Sequence, residues 1–469
     1  YLQKLGVTVL YLNPIFESAS NHRYDTGDYR KVDPILGTNA DFKKLCAAAA
    51  DCGIRIVLDG VFAHTGADSR YFNRFRHYPG CGAYNSHSSV YARWYSFAHY
   101  PDDYKCWWDF KDLPAVNAAN PDWRKYMITG ERSIVKTWLR DGASGWRLDV
   151  ADELPDDVLR GMRSAAKETD PDSVLLGEVW EDAVTKVSYG ERRQYALGDA
   201  LDSVMNYPLR DGLVTFLTGR STARALADLL LSQRLNYPRP LYYALMNLTA
   251  SHDVARTRSA LALDFDPRSR TRAELAALEI TDAMAARGAQ LQVLAAAVQF
   301  WLPGIPSIYY GDETGMQGLC DPFNRAPLQM CDTQMLQWYA QLTALRHAHP
   351  ALTRGEVAVF APAGDVLCVL RVIADGRDAF GEEAEDEALL LTVNRAAHPV
   401  RCHVELTCPG AGLCEETRLA FVRSEYDCAA DCTDDTHIAI HDGVGAFDLP
   451  PHAAKIYRLE NRHGTETGS

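Results

Sequence analysis

The segment Gly145-Trp146-Arg147-Leu148-Asp149-Val150-Ala151 constrains this chain more than any other. Trp, Leu and Val suit a pleated, packed position. Arg147 and Asp149 stand two residues apart, so strand alternation sends both side chains to the same side. For such a pair taken alone, a structural ion pair closing a strand end is the first explanation, because buried charges are paired. The pattern recurs, and that weighs against it. Val174-Leu175-Leu176-Gly177-Glu178 is a second apolar run ending in an acid, and Leu245 to Asp253, closing on Ser251-His252-Asp253, is a third. Three apolar strands, each with a carboxylate at its C-terminal end and separated by helix-like segments, predict a parallel barrel whose chemistry gathers at one face.

The rest of the chain keeps the same rhythm. Gly6 to Pro14 reads as a strand stopped by proline, Asn39 to Cys52 as a helix, and Ile54 to His64 as a strand with Asp59 and His64 at and just past its end. Helical periodicity follows over Pro121–Leu139, Asp156–Thr169, Thr222–Leu235, Ala273–Leu302 and Thr333–His347, with further strand ends at Asp202–Pro208 and after Ile305. This makes seven parallel strands where a closed barrel has eight, so the first is expected upstream of Tyr1, and the chain reads as a fragment whose start says nothing about targeting. Between His64 and Asn117 the rhythm stops in a stretch too long for an ordinary loop. It predicts a subdomain over residues 64–117, inserted after the third strand of the complete barrel. Of its Trp94, Tyr95, Trp107, Trp108 and Phe110, most are expected in its own small core, with one or two left to stack on a ring-shaped ligand. The barrel is expected to occupy residues 1–350. Short β-rich runs then predict a C-terminal antiparallel β-sandwich over 351–460, followed by a disordered tail over 461–469.

Composition excludes some partners. With 48 basic against 62 acidic residues in 469, a net charge of −14 and no basic run, neither nucleic acid nor an anionic membrane is expected. The longest apolar run, Leu291 to Tyr310, is broken by Gln292, Gln299, Pro303, Gly304 and Pro306, which predicts a helix and a strand rather than a membrane span. Among the 12 cysteines, the spacing of Cys408, Cys414, Cys428 and Cys432 is not that of zinc ligands. Most are expected as buried small hydrophobes, with Cys428 and Cys432, or Cys320 and Cys331, able to bridge in an oxidising compartment.

With these residues placed, the sequence resembles the α-amylase family of retaining glycoside hydrolases over nearly its whole length. Asp59-Gly-Val-Phe-Ala-His64, Gly145-Trp-Arg-Leu-Asp149, Gly177-Glu178-Val-Trp180 and Ser251-His252-Asp253 look like the four signature segments of that family, in the right order. Within it the chain is most similar to the neopullulanase, maltogenic amylase and cyclomaltodextrinase branch, on Asn21 to Tyr29, Asp202 to Tyr207, Gly304 to Glu313 and Asp321-Pro-Phe-Asn-Arg325. The resemblance implies a TIM (β/α)8 barrel and hydrolysis of α-1,4, and also α-1,6, glucosidic bonds in pullulan, maltodextrins, cyclodextrins or starch.

It also implies roles. Asp149 is the nucleophile, held ionised by Arg147, and Glu178 the general acid and base, about 5 to 5.5 Å away as retention requires. Asp253 is a third carboxylate gripping ring hydroxyls. His64 and His252 bond hydroxyls at the cleavage site, Tyr24 stacks beneath that sugar, Trp180 forms an acceptor-side platform, and Asp321 with Arg325 binds the donor side. No cofactor or metal is expected to be required. Where many relatives carry a calcium-ligating asparagine this chain has Ala63, and a methyl group cannot coordinate calcium; a different calcium site in the insertion stays open. The form of Leu113-Pro-Ala-Val-Asn117 implies mixed linkage specificity. A transglycosylase or sugar isomerase would use the same three carboxylates, and a catalytically silent carbohydrate-binding relative is the reading from another class. Analogy with similar enzymes implies a cytoplasmic protein, and a homodimer is left open.

Overall fold

Runs of Val, Ile and Leu form the first sheet of the computed structural model, which describes residues 1–406, 417–423, 437–441 and 444–461. The chain divides into two units, Tyr1–Met205 and Asn206–Ser469. In the first, β1 (Val9–Leu12), β2 (Arg55–Gly60), β3 (Gly145–Leu148), β4 (Val174–Gly177) and β5 (Ser203–Val204) form one parallel sheet in chain order. Parallel neighbours need a crossover. Helices Asn39–Asp51, Ile134–Arg140 and Asp156–Thr169 lie in the first three crossovers. Asp156–Thr169 buries Val158, Leu159, Met162, Ala165 and Ala166, the stripe of an amphipathic helix resting on a sheet.

One expected helix is broken. Pro121–Leu139 separates into a turn at Pro121–Arg124, a π-helical turn at Lys125–Thr129 and a new helix from Ile134. Extended backbone at Gly130 ends the first part, and the Ser133 side chain restarts the chain by accepting from Lys136 N. Aligned apolar positions concealed that stop.

Residues 64–117 fold around their own aromatic core. Tyr71, Phe72, Trp94, Tyr95 and Tyr104 are buried, with Phe72 and Tyr104 edge to face at 4.7 Å. Bridges His64–Ala115, Tyr95–Val116 and Cys106–Pro114 close the insertion near its base.

In the second unit β6 (Met246–Leu248) pairs in parallel with β7 (Ile305–Ser307). The strand expected over Asp202–Pro208 is cut to β5 because Asn206 caps a helix over Tyr207–Leu217, with proline in its first turn. Likewise the helix expected over Ala273–Leu302 is two, Arg272–Ala277 and Asp282–Trp301, each opened by a threonine cap, Thr271 and Thr281.

Beyond these lie β8 (Glu356–Ala363), β9 (Val366–Ile373), β10 (Glu387–Asn394), β11 (Val400–Glu405), β12 (Thr417–Arg423), β13 (His437–His441), β14 (Val444–Leu449) and β15 (Ala453–Asn461). They pair antiparallel in the order β8-β9-β10-β15-β12-β13-β14-β11. β9 is buried on both faces. Val366, Cys368, Leu370 and Val372 join Cys402, Val404, Phe447 and Leu449 in one apolar cluster. On the alternate positions, Val369 O accepts from Trp301 Nε1 at 2.9 Å, and fully buried Arg371 donates to the carbonyls of Trp301, Leu352 and Gly355. Deep burial pulls the Arg371 guanidinium down to about 10, and Tyr243, Tyr242 and Glu356 offset only part of that.

Among the described residues eight cysteines are free thiols. Of these eight only Cys46, Cys368 and Cys402 are buried, while Cys52, Cys81 and Cys331 are exposed, so among the described residues most are not core residues, and Cys320 and Cys331 are unbridged. Cys408, Cys414, Cys428, Cys432 and positions 462–469 lie outside the described residues.

Candidate active site

Strand register builds the centre of the first unit. Asp59 on β2 pairs with Arg147 on β3, and Leu148 pairs with Gly177 on β4. Asp149 and Glu178 are the next residues of two adjacent strands, whose spacing is about 4.8 Å. Both acids are buried, at 7 % and 6 % exposure.

Arg147, fully buried, ties them together. Its Nη1 donates to Asp149 Oδ1 at 3.0 Å and to both oxygens of Asp59 at 2.9 and 3.1 Å. Its Nη2 lies 2.9 Å from Glu178 Oε2, an ion pair outside hydrogen-bonding geometry. One cation therefore faces three carboxylates. Tyr11 and Tyr24 donate their hydroxyls to Asp59 Oδ2. Burial raises the Asp59 carboxyl above the usual carboxylate range, and Arg147 with the two phenols pulls it back only in part. Burial likewise holds both tyrosine hydroxyls well above their ordinary range, where they remain donors.

Glu178 is oriented by backbone as well as side chain. Val150 N donates to its Oε2 at 2.8 Å and Trp180 Nε1 to its Oε1 at 3.0 Å. Val150 achieves this in a left-handed conformation, φ 38 and ψ 61, which is costly for a β-branched residue. Asp149 and Val150 thus form a turn that ends β3 and directs an N–H at the neighbouring acid.

His64 is buried at the base of the insertion, and its Nε2 donates to the Tyr24 carbonyl at 3.0 Å. Burial pushes its pKa down to about 4, so the ring is neutral at pH 7. At Ala63 the only oxygen is the backbone carbonyl, which already accepts from Val116 N at 3.0 Å. The side chain at that position does not fit a calcium ligand. Among the described residues no group of three or more His, Cys, Asp or Glu side chains could hold a metal ion, and no helix is long and apolar enough to cross a membrane.

In the second unit Asp253 follows β6. Its N–H donates to Ser251 Oγ at 3.1 Å, and its Oδ2 lies 3.2 Å from buried His252 Nε2. Asp321 and Arg325 pair with each other at 2.7 Å on a loop. Between them Asn324, fully buried, donates from Nδ2 to the carbonyls of Ser251 at 3.0 Å and Val254 at 2.9 Å. That amide fastens the loop to the segment carrying Asp253. Arg256, also fully buried, lies over the rings of Tyr309 and Tyr310 at 4.6 and 4.7 Å and donates to the Tyr310 carbonyl.

Arg147, Asp149, Glu178, Trp180, Tyr24 and His64 are thus linked through direct contacts in the first unit, and His252, Asp253, Asp321 and Arg325 stand on two joined segments of the second. The sequence reading missed Tyr11, the Val150 N–H, Asn324 and the part Asp59 plays on Arg147. Only Asp59 carried a signal, as an acid near the end of an apolar run.

A family profile described as "Alpha amylase, catalytic domain" matches residues 1–331. An amylopullulanase of Thermoanaerobacterium thermosulfurigenes is 36% identical over 439 residues, covering 87% of this chain and 22% of that protein. Neopullulanase 2 of Thermoactinomyces vulgaris is 32% identical over 369 residues, covering 76% of this chain and 56% of that protein. The chain spans 22% to 33% of the length of the amylopullulanases it matches. Among solved structures, the cyclic α-maltosyl-(1→6)-maltose hydrolase from Arthrobacter globiformis, in complex with that sugar, aligns with a TM-score of 0.73 at 26% identity, covering 97% of this chain and 87% of that one. The native debranching enzyme of Nostoc punctiforme aligns with a TM-score of 0.76 at 26% identity, with the same coverage.

Proposed function

The chain belongs to the α-amylase family, and on that premise we propose that it cleaves α-glucosidic bonds in α-glucans by double displacement, retaining configuration at the anomeric carbon. The parallel sheet fits the TIM-barrel fold of the family. The antiparallel strands beyond Glu356, with their own apolar cluster, support reading residues 351–460 as a β-sandwich domain.

The observation that carries the proposal is the Arg147 guanidinium between Asp149 and Glu178 at the ends of adjacent strands. Retention needs two carboxyls about 5 to 5.5 Å apart, one to attack and one to move a proton. In the first step an Asp149 oxygen bonds to the anomeric carbon, the glycosidic C–O bond breaks, and the departing oxygen takes the proton from Glu178. In the second, Glu178 takes a proton from water, the water oxygen bonds to the anomeric carbon, and the bond to Asp149 breaks. Arg147 compensates charge while Asp149 attacks. Val150 N–H and Trp180 hold the Glu178 carboxyl in position.

We assign Asp253 the grip on ring hydroxyls in the distorted, cation-like transition state. Neutral His64, with His252, bonds hydroxyls of the sugar at the cleavage site, and Tyr24 lies beneath it. Trp180 serves the acceptor side, and Asp321 with Arg325 the donor side. The named relatives include amylopullulanases and a neopullulanase, which makes pullulan the first substrate to try, followed by the maltodextrins and cyclodextrins that the sequence resemblance implies.

The test is chromatography of products released from pullulan by the protein and by Asp149→Asn. Panose from the unaltered protein alone means α-1,4 cleavage, and maltotriose means α-1,6 cleavage. No variant-sensitive product from pullulan, cyclodextrins or maltodextrins sinks the proposal. Repeating the reaction with added acceptor sugar separates hydrolysis from transglycosylation.

A further inference from the structure

Three rings of the insertion are displayed to water, Phe75, Trp108 and Phe110, and the last two share one neighbour. Trp94 and Tyr95 lie in the insertion's own core, whereas Trp108 is 72% exposed and Phe110 57%. Both are nearly parallel to Trp107, with centroids 5.1 Å away at 14° for Trp108 and 5.9 Å at 23° for Phe110. The Trp107 ring in turn lies 5.7 Å from that of His64, tilted by 32°. His64 reaches the Tyr24 carbonyl, and the Tyr24 hydroxyl reaches Asp59, which shares Arg147 with Asp149. A continuous series of contacts therefore leads from the carboxylate cluster to two exposed aromatic faces.

The backbone holds this display at a cost. Trp108 has φ 45 and Asp109 φ 62, two consecutive non-glycine residues in the left-handed region. The turn is kept by Trp107 N to Leu113 O, Phe110 N to Trp107 O and Leu113 N to Phe110 O, each at 2.9 Å. Backbone strain of this kind clusters at functional sites. Scattered surface apolar side chains are ordinary; two broad faces nearly parallel to a third, joined to the site, are not scattered. A pyranose ring has one chemistry that matches them, a flat C–H face rimmed by hydroxyls that remain in water while the face lies on an aromatic ring.

We propose that Trp108 and Phe110 form a platform that binds glucose rings of an α-glucan remote from the bond being cleaved, and so favours longer chains. The inference rests on the α-glucan reading above and extends it to a length preference.

The experiment titrates the Asp149→Asn protein calorimetrically with maltotriose and with maltoheptaose, alone and with Trp108→Ala, Trp108→Phe or Phe110→Ala added. Trp108→Ala is expected to narrow the ratio of the two affinities about tenfold, the equivalent of about 1.4 kcal/mol, and Trp108→Phe, which keeps a flat face, to restore most of it. A ratio unmoved by Trp108→Ala and by Phe110→Ala overturns the platform. So does an equal loss for both sugars, which would assign the rings to folding of the loop. Turnover by the protein with Asp149 intact is measured alongside: cleavage of α-glucans with an unmoved ratio overturns the platform alone, and no cleavage of any α-glucan overturns the function reading as well.

Discussion

Acidification provides a quantitative test of the buried His64. Its unperturbed pKa is 6.5 and burial lowers the folded value to about 4. Above pH 6.5 the imidazole is neutral in both folded and unfolded chains, and its titration contributes no pH dependence. Between 6.5 and 4 the unfolded chain binds a proton that the folded chain refuses, so stability falls as pH falls, by about 1.4 kcal/mol per pH unit. Below 4 both states are protonated and the loss levels off. The interval of 6.5 minus 4, or 2.5, gives a total of about 3 kcal/mol. Exposure of 2 % means solvent screening takes little from that figure. The perturbation is His64→Gln, which keeps an N–H for the Tyr24 carbonyl but cannot titrate. Urea denaturation of both proteins at pH 7.5, 6.5, 5.5 and 4.5 gives the stability difference directly. At pH 7.5 the variant is less stable by a fixed packing loss, and by pH 4.5, two units below 6.5, the gap closes by about 2.6 kcal/mol. Other titrating groups cancel in the difference. Parallel stability curves across this window, or a His64 ring signal that titrates near 6.5, refute the reasoning.

Other substitutions probe the carboxylate cluster and its supports. Arg147→Met leaves three buried carboxylates without their cation and should cost about 3 to 5 kcal/mol in denaturant unfolding, besides abolishing turnover. Glu178→Gln should lower kcat by orders of magnitude toward substrates with poor leaving groups and by much less toward activated aryl glycosides, since only the former need a protonated leaving oxygen; equal losses on both would remove Glu178 from acid catalysis. A Cβ at Gly145 would stand 2.4 Å from Val174 O and 2.6 Å from its Cγ2, so Gly145→Ala should part β3 from β4 and cost about 1 to 3 kcal/mol in stability. Asn324→Ala removes two donors from the buried carbonyls of Ser251 and Val254; a loss of about 2 kcal/mol is expected in urea unfolding, and none would mean that the loop is held by other contacts.

The chain's own pattern settled that apolar strands run parallel with helical crossovers, and that Asp149 and Glu178 stand at strand ends, whereas Asp253 lies five residues beyond β6. These are local matters: a residue's alternation with its immediate neighbours decides the face it takes, and an apolar run followed by an acid marks where a strand meets water. Boundaries at Gly130, Asn206, Thr271 and Thr281 were less legible, because a cap acts through one hydrogen bond that periodicity does not register. Tertiary structure alone decided that Arg147 is shared with Asp59, a residue 88 positions away, since strand register depends on packing of the sheet as a whole. It alone bent Val150 into the conformation that directs its N–H at Glu178, and it alone separated buried Trp94 and Tyr95 from exposed Trp108 and Phe110. An aromatic residue has the same apolar surface in either place, and only the three-dimensional neighbourhood determines whether that surface is covered by the fold or left exposed to water.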